Sequence, residues 1–159
     1  MPSDISNGIL AFVDFSEVTP AVMDVAINLA VALDKKLVLI HVVMPEADSE
    51  GEKMRKDVSR DGIASELHRN RRALGVMEAA SKRRGVKAIA LLVRGHSSRG
   101  NPTSKMLREI TRLKPDLIVM GTHGHGALHN LLLGSASAAV IRKTTCPVLL
   151  VPSKPPARS

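Results

Sequence analysis

The chain has 159 residues, 44% of them hydrophobic and 24% charged, with a net charge of +8. That length and apolar content suit one soluble domain with one core, and no apolar run reaches the ~18 residues of a membrane-spanning helix. A single cysteine, Cys146, excludes an internal disulfide and a cysteine-rich zinc site.

Two periodicities alternate along the chain. The N-terminal stretch lacks the charged-then-apolar layout of a signal peptide, which points to a cytoplasmic protein. ILAFVDF, residues 9–15, is a continuous apolar run ending at Asp14, as in a buried strand. In the next stretch Thr19 is suited to cap a helix and Pro20 to open it. Val22, Met23, Ala26, Leu29, Ala30 and Leu33 then recur at helical spacing. KLVLIHVV, residues 36–43, is a second buried strand, with His41 expected inside it as a satisfied polar group. The polar connection after it is long. A helix is predicted over 59–84, with Ile63, Leu67, Leu74 and Met77 inward and Gly85 as its closing glycine.

Residues 87–95 form the third predicted strand. A helix comes next, with Met106, Leu107, Ile110 and Leu113 on one face, and Lys114-Pro115 stops it. DLIVMG, residues 116–121, is the fourth strand. After a glycine-rich stretch come a helix over 135–144 and a fifth strand, CPVLLVP, beside which Cys146 reads as a buried small apolar residue. Apolar strands separated by helices indicate an α/β fold, a single-domain parallel sheet with helices on both faces. Ligands bind such sheets beyond the carboxyl ends of the strands. Asp14, Val42 with Val43, and Gly121 mark three of those ends.

The glycine-rich stretch has chemistry of its own. Neither the phosphate loop ending Gly-Lys-Ser/Thr nor a dinucleotide Gly-x-Gly-x-x-Gly after the first strand is present. The fourth strand instead runs into Gly121-x2-Gly124-x9-Gly134-Ser135. Gly121 and Gly124 permit a sharp turn, and Gly134-Ser135 opens a helix whose amino end favours an anion. Ser135 and Ser137 add hydroxyls in the first turn. On spacing alone, a phosphate site and a plain loop with a capping serine compete. Gly134 is read as a surface-loop residue that is glycine because phosphate approaches its backbone. His123, His125 and His129 lack a neighbouring carboxylate that would complete a metal site.

This motif, preceded by DLIVMGTHG and followed by CPVLLVP, resembles the universal stress protein family; VDFSE at the first strand and LIHVV at the second match as well. The likeness runs from about residue 8 to residue 152, so residues 1–152 are taken as the domain and 153–159 as a flexible tail. The resemblance implies a five-stranded sheet of order 3-2-1-4-5, of the adenine nucleotide alpha hydrolase-like kind. It implies ATP binding, a homodimer through strand five, and a regulatory or stress-resistance role.

By position, Asp14 would hold the ribose or adenine side and the backbone near Val42 the adenine edge. Met120, Gly121, His123 and Gly124 would line the ribose and phosphate path. Gly134, Ser135, Ala136 and Ser137 would hold the phosphates. Mg²⁺ or Mn²⁺ would arrive with ATP, held mainly by phosphate oxygens, and no separate metal site is expected. No catalytic set stands out, so whether the protein is an enzyme is left open, with weak ATPase activity as the most it would show. A slow adenine-nucleotide hydrolase is one alternative. Another is a basic module docking an acidic protein partner, because Lys and Arg crowd residues 53–85. The two phenylalanines, with no Trp or Tyr, argue against single-stranded nucleic acid as partner.

Overall fold

The computed structural model describes residues 6–44, 56–95, 101–124 and 133–153. The long connection after the second strand, residues 96–100, His125, Gly126 and His129, and the tail from 154 lie outside the described residues. The elements run β1 (Ile9–Phe12), α1 (Thr19–Leu33), β2 (Leu37–Val43), α2 (Lys56–Arg83), β3 (Ala88–Arg94), α3 (Pro102–Leu113), β4 (Leu117–Gly121), α4 (Ser135–Lys143) and β5 (Val148–Val151). All pairings are parallel and the sheet order is β3-β2-β1-β4-β5, as the family resemblance implied.

Alternation along the strands splits the core into two layers. Ile9, Ala11, Leu37, Leu39 and Val119 pack towards α1 and α2, meeting Val22, Ala26 and Leu74. Leu10, Phe12, Val38, Ile40 and Ile118 pack on the other face against Met106 and Ile110 of α3 and Val140 of α4. Because β1 and β2 are covered on both faces, their sequences read as apolar runs, interrupted only by His41 in β2. β3, at one edge, instead alternates, with Ala88 buried and Ile89 exposed. Its outward Ala90 N–H donates to Glu78 Oε2 at 3.0 Å, so a side chain of α2 occupies a backbone group that an edge leaves open. The hydrogen bond from Lys82 holds the Glu78 carboxyl below the ordinary carboxylate range.

The element limits differ from the sequence reading in instructive places. β1 stops at Phe12 rather than running to residue 15, because the chain turns there and Phe15 takes a left-handed φ of 58°. α2 begins at Lys56, three residues ahead of the expected start. Gly85, with φ 85°, closes α2 as expected. α3 begins at Pro102, one residue ahead of the TSKMLREITRLK stretch that carries its apolar face, because the Asn101 side chain accepts from Ser104 N–H at 2.8 Å and Pro102 opens the helix. Lys114, φ 45°, ends α3 ahead of Pro115.

Candidate functional site

Where β1 ends, the Asp14 carboxylate organises the turn. Its Oδ1 accepts from Ser16 N–H at 3.0 Å, from the Ser16 hydroxyl, and from Thr19 Oγ1 at 3.2 Å. The bond to the amide two residues on is the ordinary aspartate turn. Thr19 therefore does not cap α1, as its type suggested. The cap position is Val18, with no side-chain bond, and the Thr19 hydroxyl is drawn to Asp14 instead. The second carboxylate oxygen, Oδ2, is directed at Gly124, lying 2.8 Å from where a Cβ on that residue would sit. The absence of a side chain at Gly124 thus leaves space for the carboxylate to face the glycine stretch.

At the end of β2 the sheet opens on one side only. β2 pairs with β3 through Val43, but with β1 only through Ile40. The last backbone bond between β1 and β2 runs from Val13 N–H to the Ile40 carbonyl, 2.9 Å. By the two-residue period of a strand, Val42 turns its backbone groups to that same side, beyond the end of β1. His41 fixes this edge. Its Nδ1 donates to the Val13 carbonyl at 2.7 Å, since a carbonyl can only accept, and its ring lies against Phe15.

The third strand end is β4. Met120 is buried, and Gly121 sits so close to α1 that a Cβ would come within 2.8 Å of Val18. The chain leaves the sheet through Thr122 and His123 and returns at Gly134, whose N–H donates to the Thr122 carbonyl at 2.7 Å. Gly134 is buried, and a Cβ there would meet Thr122 O at 3.1 Å and His123 Cα at 3.3 Å. This corrects the reading of Gly134 as a surface-loop glycine, because the return strand of the loop packs directly on the departing one. Gly134 is also the N-cap of α4, and it supplies no side-chain acceptor. The first amides of a helix have no partner within it, so the start of α4 presents those of Ser135, Ala136 and Ser137. The Ser137 hydroxyl is engaged, donating to the Gly121 carbonyl at 2.8 Å, which ties α4 to β4. What Ser137 offers an anion is therefore its amide rather than its hydroxyl.

These three strand ends enclose a cavity of about 250 Å³. Asp14, Val42, Met120, Gly121, His123, Gly124, Ala136 and Ser137 all line it; Gly134 and Ser135 do not. Gly134 lies behind the loop it packs on, and Ser135 is exposed at the start of α4. The lining also contains residues that the sequence did not single out for a site, among them Val18, Thr19, His41, Pro102 and Met106. For Thr19 a signal was present, since Asp14, Ser16 and Thr19 have the spacing of a carboxylate turn running into a helix. Pro102 and Met106 come from α3, and only the fold brings them there. The walls are mainly apolar, with Asp14, His41 and His123 as the titratable groups among the described residues. No group of three or more potential metal ligands occurs among the described residues. The arrangement suits a flat apolar group in the cavity, hydrogen-bonded at its edge by strand backbone and a carboxylate, with an anionic appendage reaching the start of α4.

The model of the "Universal stress protein family" matches residues 7–152. A relative from Thermus aquaticus, the universal stress protein in the QAH/OAS sulfhydrylase 3' region, is 36% identical over 117 residues, covering 73% of this chain and 77% of that one. A crystal structure of a universal stress family protein from Burkholderia pseudomallei is 26% identical, with a TM-score of 0.72, and the match covers 96% of this chain and all of that one. Two more distant structures share the fold at TM-scores of 0.63. One, from Archaeoglobus fulgidus in complex with dAMP, is 18% identical and the match covers 92% of this chain and 98% of that one. The other, a universal stress protein in complex with cAMP, is 22% identical and the match covers 92% and 96%.

Proposed function

The chain belongs to the universal stress protein family, and we propose that it binds an adenine nucleotide, ATP in the first place, as a regulatory or stress-resistance protein. The observation that carries this reading is the cavity between the ends of β1, β2 and β4, into which the uncapped amino end of α4 opens. The adenine would lie against Val42, whose backbone groups are left open where β1 stops. Asp14 Oδ2 would accept from a ribose hydroxyl. The phosphates would leave past Gly124 towards the amides of Ser135, Ala136 and Ser137, where the helix dipole favours negative charge. Bound Mg²⁺ or Mn²⁺ would supply charge neutralisation through the phosphate oxygens.

Among the described residues lining the cavity there is no lysine or arginine to neutralise a transferring phosphoryl group. We therefore read the site as one that binds and reports, with hydrolysis slow at most. Mass spectrometry of nucleotide released from the purified protein, with calorimetric titration of ATP, tests the reading. An adenine nucleotide in the released fraction and saturable ATP binding are expected. No released nucleotide, together with no heat at millimolar ATP, would overturn it. Multiple-turnover release of ADP would move the assignment to a hydrolase.

No helix among the described residues is long and apolar enough to cross a membrane. A cytoplasmic location is part of the same proposal. We also propose a homodimer through β5, which among the described residues pairs only with β4 and so has one open edge.

A further inference from the structure

None of the described residues lining the cavity is a lysine or arginine, so the cations that the structure describes lie elsewhere. On α2 the arginines Arg69, Arg72 and Arg83 are exposed, and none has a carboxylate partner among the described residues. Arg69, Arg72, Val76 and Arg83 follow spacings of three, four and seven residues, which put them on one helical face opposite Leu74. Val76, in the middle of this face, is 66% exposed although apolar.

Val76 also lines a groove of about 450 Å³ between α1 and α2. Met23 and Ile27 of α1 and Met77 and Ala80 of α2 provide apolar walls. Met23 with Ile27, and Val76 with Ala80, are each one turn apart, so the groove lies between two rows of side chains at helical spacing. Arg84 closes part of it, bonded across to Asp24 at 3.1 Å and to Asn28.

We propose that this groove, together with the arginine face of α2 that meets it at Val76, docks an acidic amphipathic helix of a partner protein. Apolar residues of that helix at i, i+3 or i+4, and i+7 would enter the groove beside Val76, and its flanking Asp and Glu would meet Arg69, Arg72 and Arg83. The apolar walls favour such a helix over nucleic acid, which gains from the cations but has nothing to set against them. The one aromatic ring at the groove, Phe15, already lies against His41. The concave shape between two helices likewise suits a helix better than a flat lipid surface.

The test is a displayed library of helix-forming peptides selected against the wild-type protein. Enriched sequences are expected to be acidic with apolar residues at helical spacing. Fluorescence anisotropy should show the best of them weakened at least about tenfold by Arg72→Glu and by Val76→Glu, and weakened by added salt. Both side chains are exposed, so circular dichroism and ATP titration should be unchanged in the variants. The proposal is overturned if no peptide is enriched, if enriched peptides lack that pattern, or if they bind both variants as tightly as wild type. It is also overturned if single-stranded RNA or phosphatidylserine vesicles bind in an Arg72-dependent way and peptides do not.

Discussion

His41 Nδ1 donates to the Val13 carbonyl at 2.7 Å, joining the open end of β2 to the turn that carries Asp14. The imidazole lies against the Phe15 ring, with centroids 4.3 Å apart and planes at 44°. Phe15 holds a left-handed φ of 58°, so the bond and the ring contact brace a turn that its backbone alone would not favour. His41→Phe keeps an aromatic ring and removes the donor. It should lower stability by about 1–3 kcal/mol, the range for an acceptor left without its partner. It should also weaken adenosine binding more than tripolyphosphate binding. His41→Gln, which can still donate, should recover part of both losses. Denaturant titration and calorimetry check this, and an unchanged adenosine affinity in folded His41→Phe would count against it.

Asp14 turns one oxygen to its own turn and the other to Gly124. Asp14→Ala should cost adenosine and ATP about 1.5–3 kcal/mol, the range for hydrogen bonds to charged groups. Tripolyphosphate binding should be nearly unaffected. Equal losses for ATP and tripolyphosphate would show that Asp14 acts on the phosphates or on the loop, not on the nucleoside.

Gly134 has an ordinary φ of −68°, so its constraint is space rather than backbone strain. An added methyl meets the Thr122 carbonyl at 3.1 Å, and a branched side chain extends that clash. Gly134→Ala should be tolerated with a small loss. Gly134→Val should destabilise the nucleotide-free protein by about 1–3 kcal/mol, as overpacking does. Thermal unfolding without ligand measures it. If the valine variant melts at the parent temperature, glycine is not there for packing, and approach by a phosphate becomes the better explanation.

Cys146 is half-buried, and its thiol donates to the Pro115 carbonyl at 3.2 Å. Burial, and then the negative charge of Asp116, push the thiol above its ordinary value of 9.0. The folded protein therefore holds this proton more tightly than the unfolded chain does. Its contribution to stability is intact below the ordinary thiol value and is lost as pH rises from there through the folded value. Wild type should thus lose more stability than Cys146→Ala between neutral and strongly alkaline pH in denaturant titrations. Iodoacetamide at neutral pH should label the native thiol more slowly than the unfolded one.

Residues Val148–Val151 form an edge strand whose outer side pairs with nothing among the described residues. Sedimentation at micromolar concentration should show a dimer. Leu150→Pro, which removes a backbone donor on the side away from β4 and leaves the apolar character, should shift it towards monomer, because the register of β5 on β4 turns the Leu150 N–H to the open edge. A monomeric wild type would end the proposal.

The sequence by itself determined the fold class. Continuous apolar strands alternating with 3.6-residue helical patterns can bury their surface only as a parallel sheet covered on both faces, and five such strands were legible with their limits off by a few residues. It also marked Asp14, Val42 and Gly121, because they stand at the ends of apolar runs. The order of the strands came from resemblance alone, since local periodicity carries no record of which strand lies beside which. The tertiary structure decided the rest. Thr19 reads as a cap until Asp14 is close enough to take its hydroxyl, and Gly134 reads as a surface turn until Thr122 packs on it. Pro102 and Met106 reach the cavity only because α3 crosses back over β2. Each of these depends on atoms far apart in the chain coming within a few ångströms, and short-range patterns of residue type cannot encode such distances.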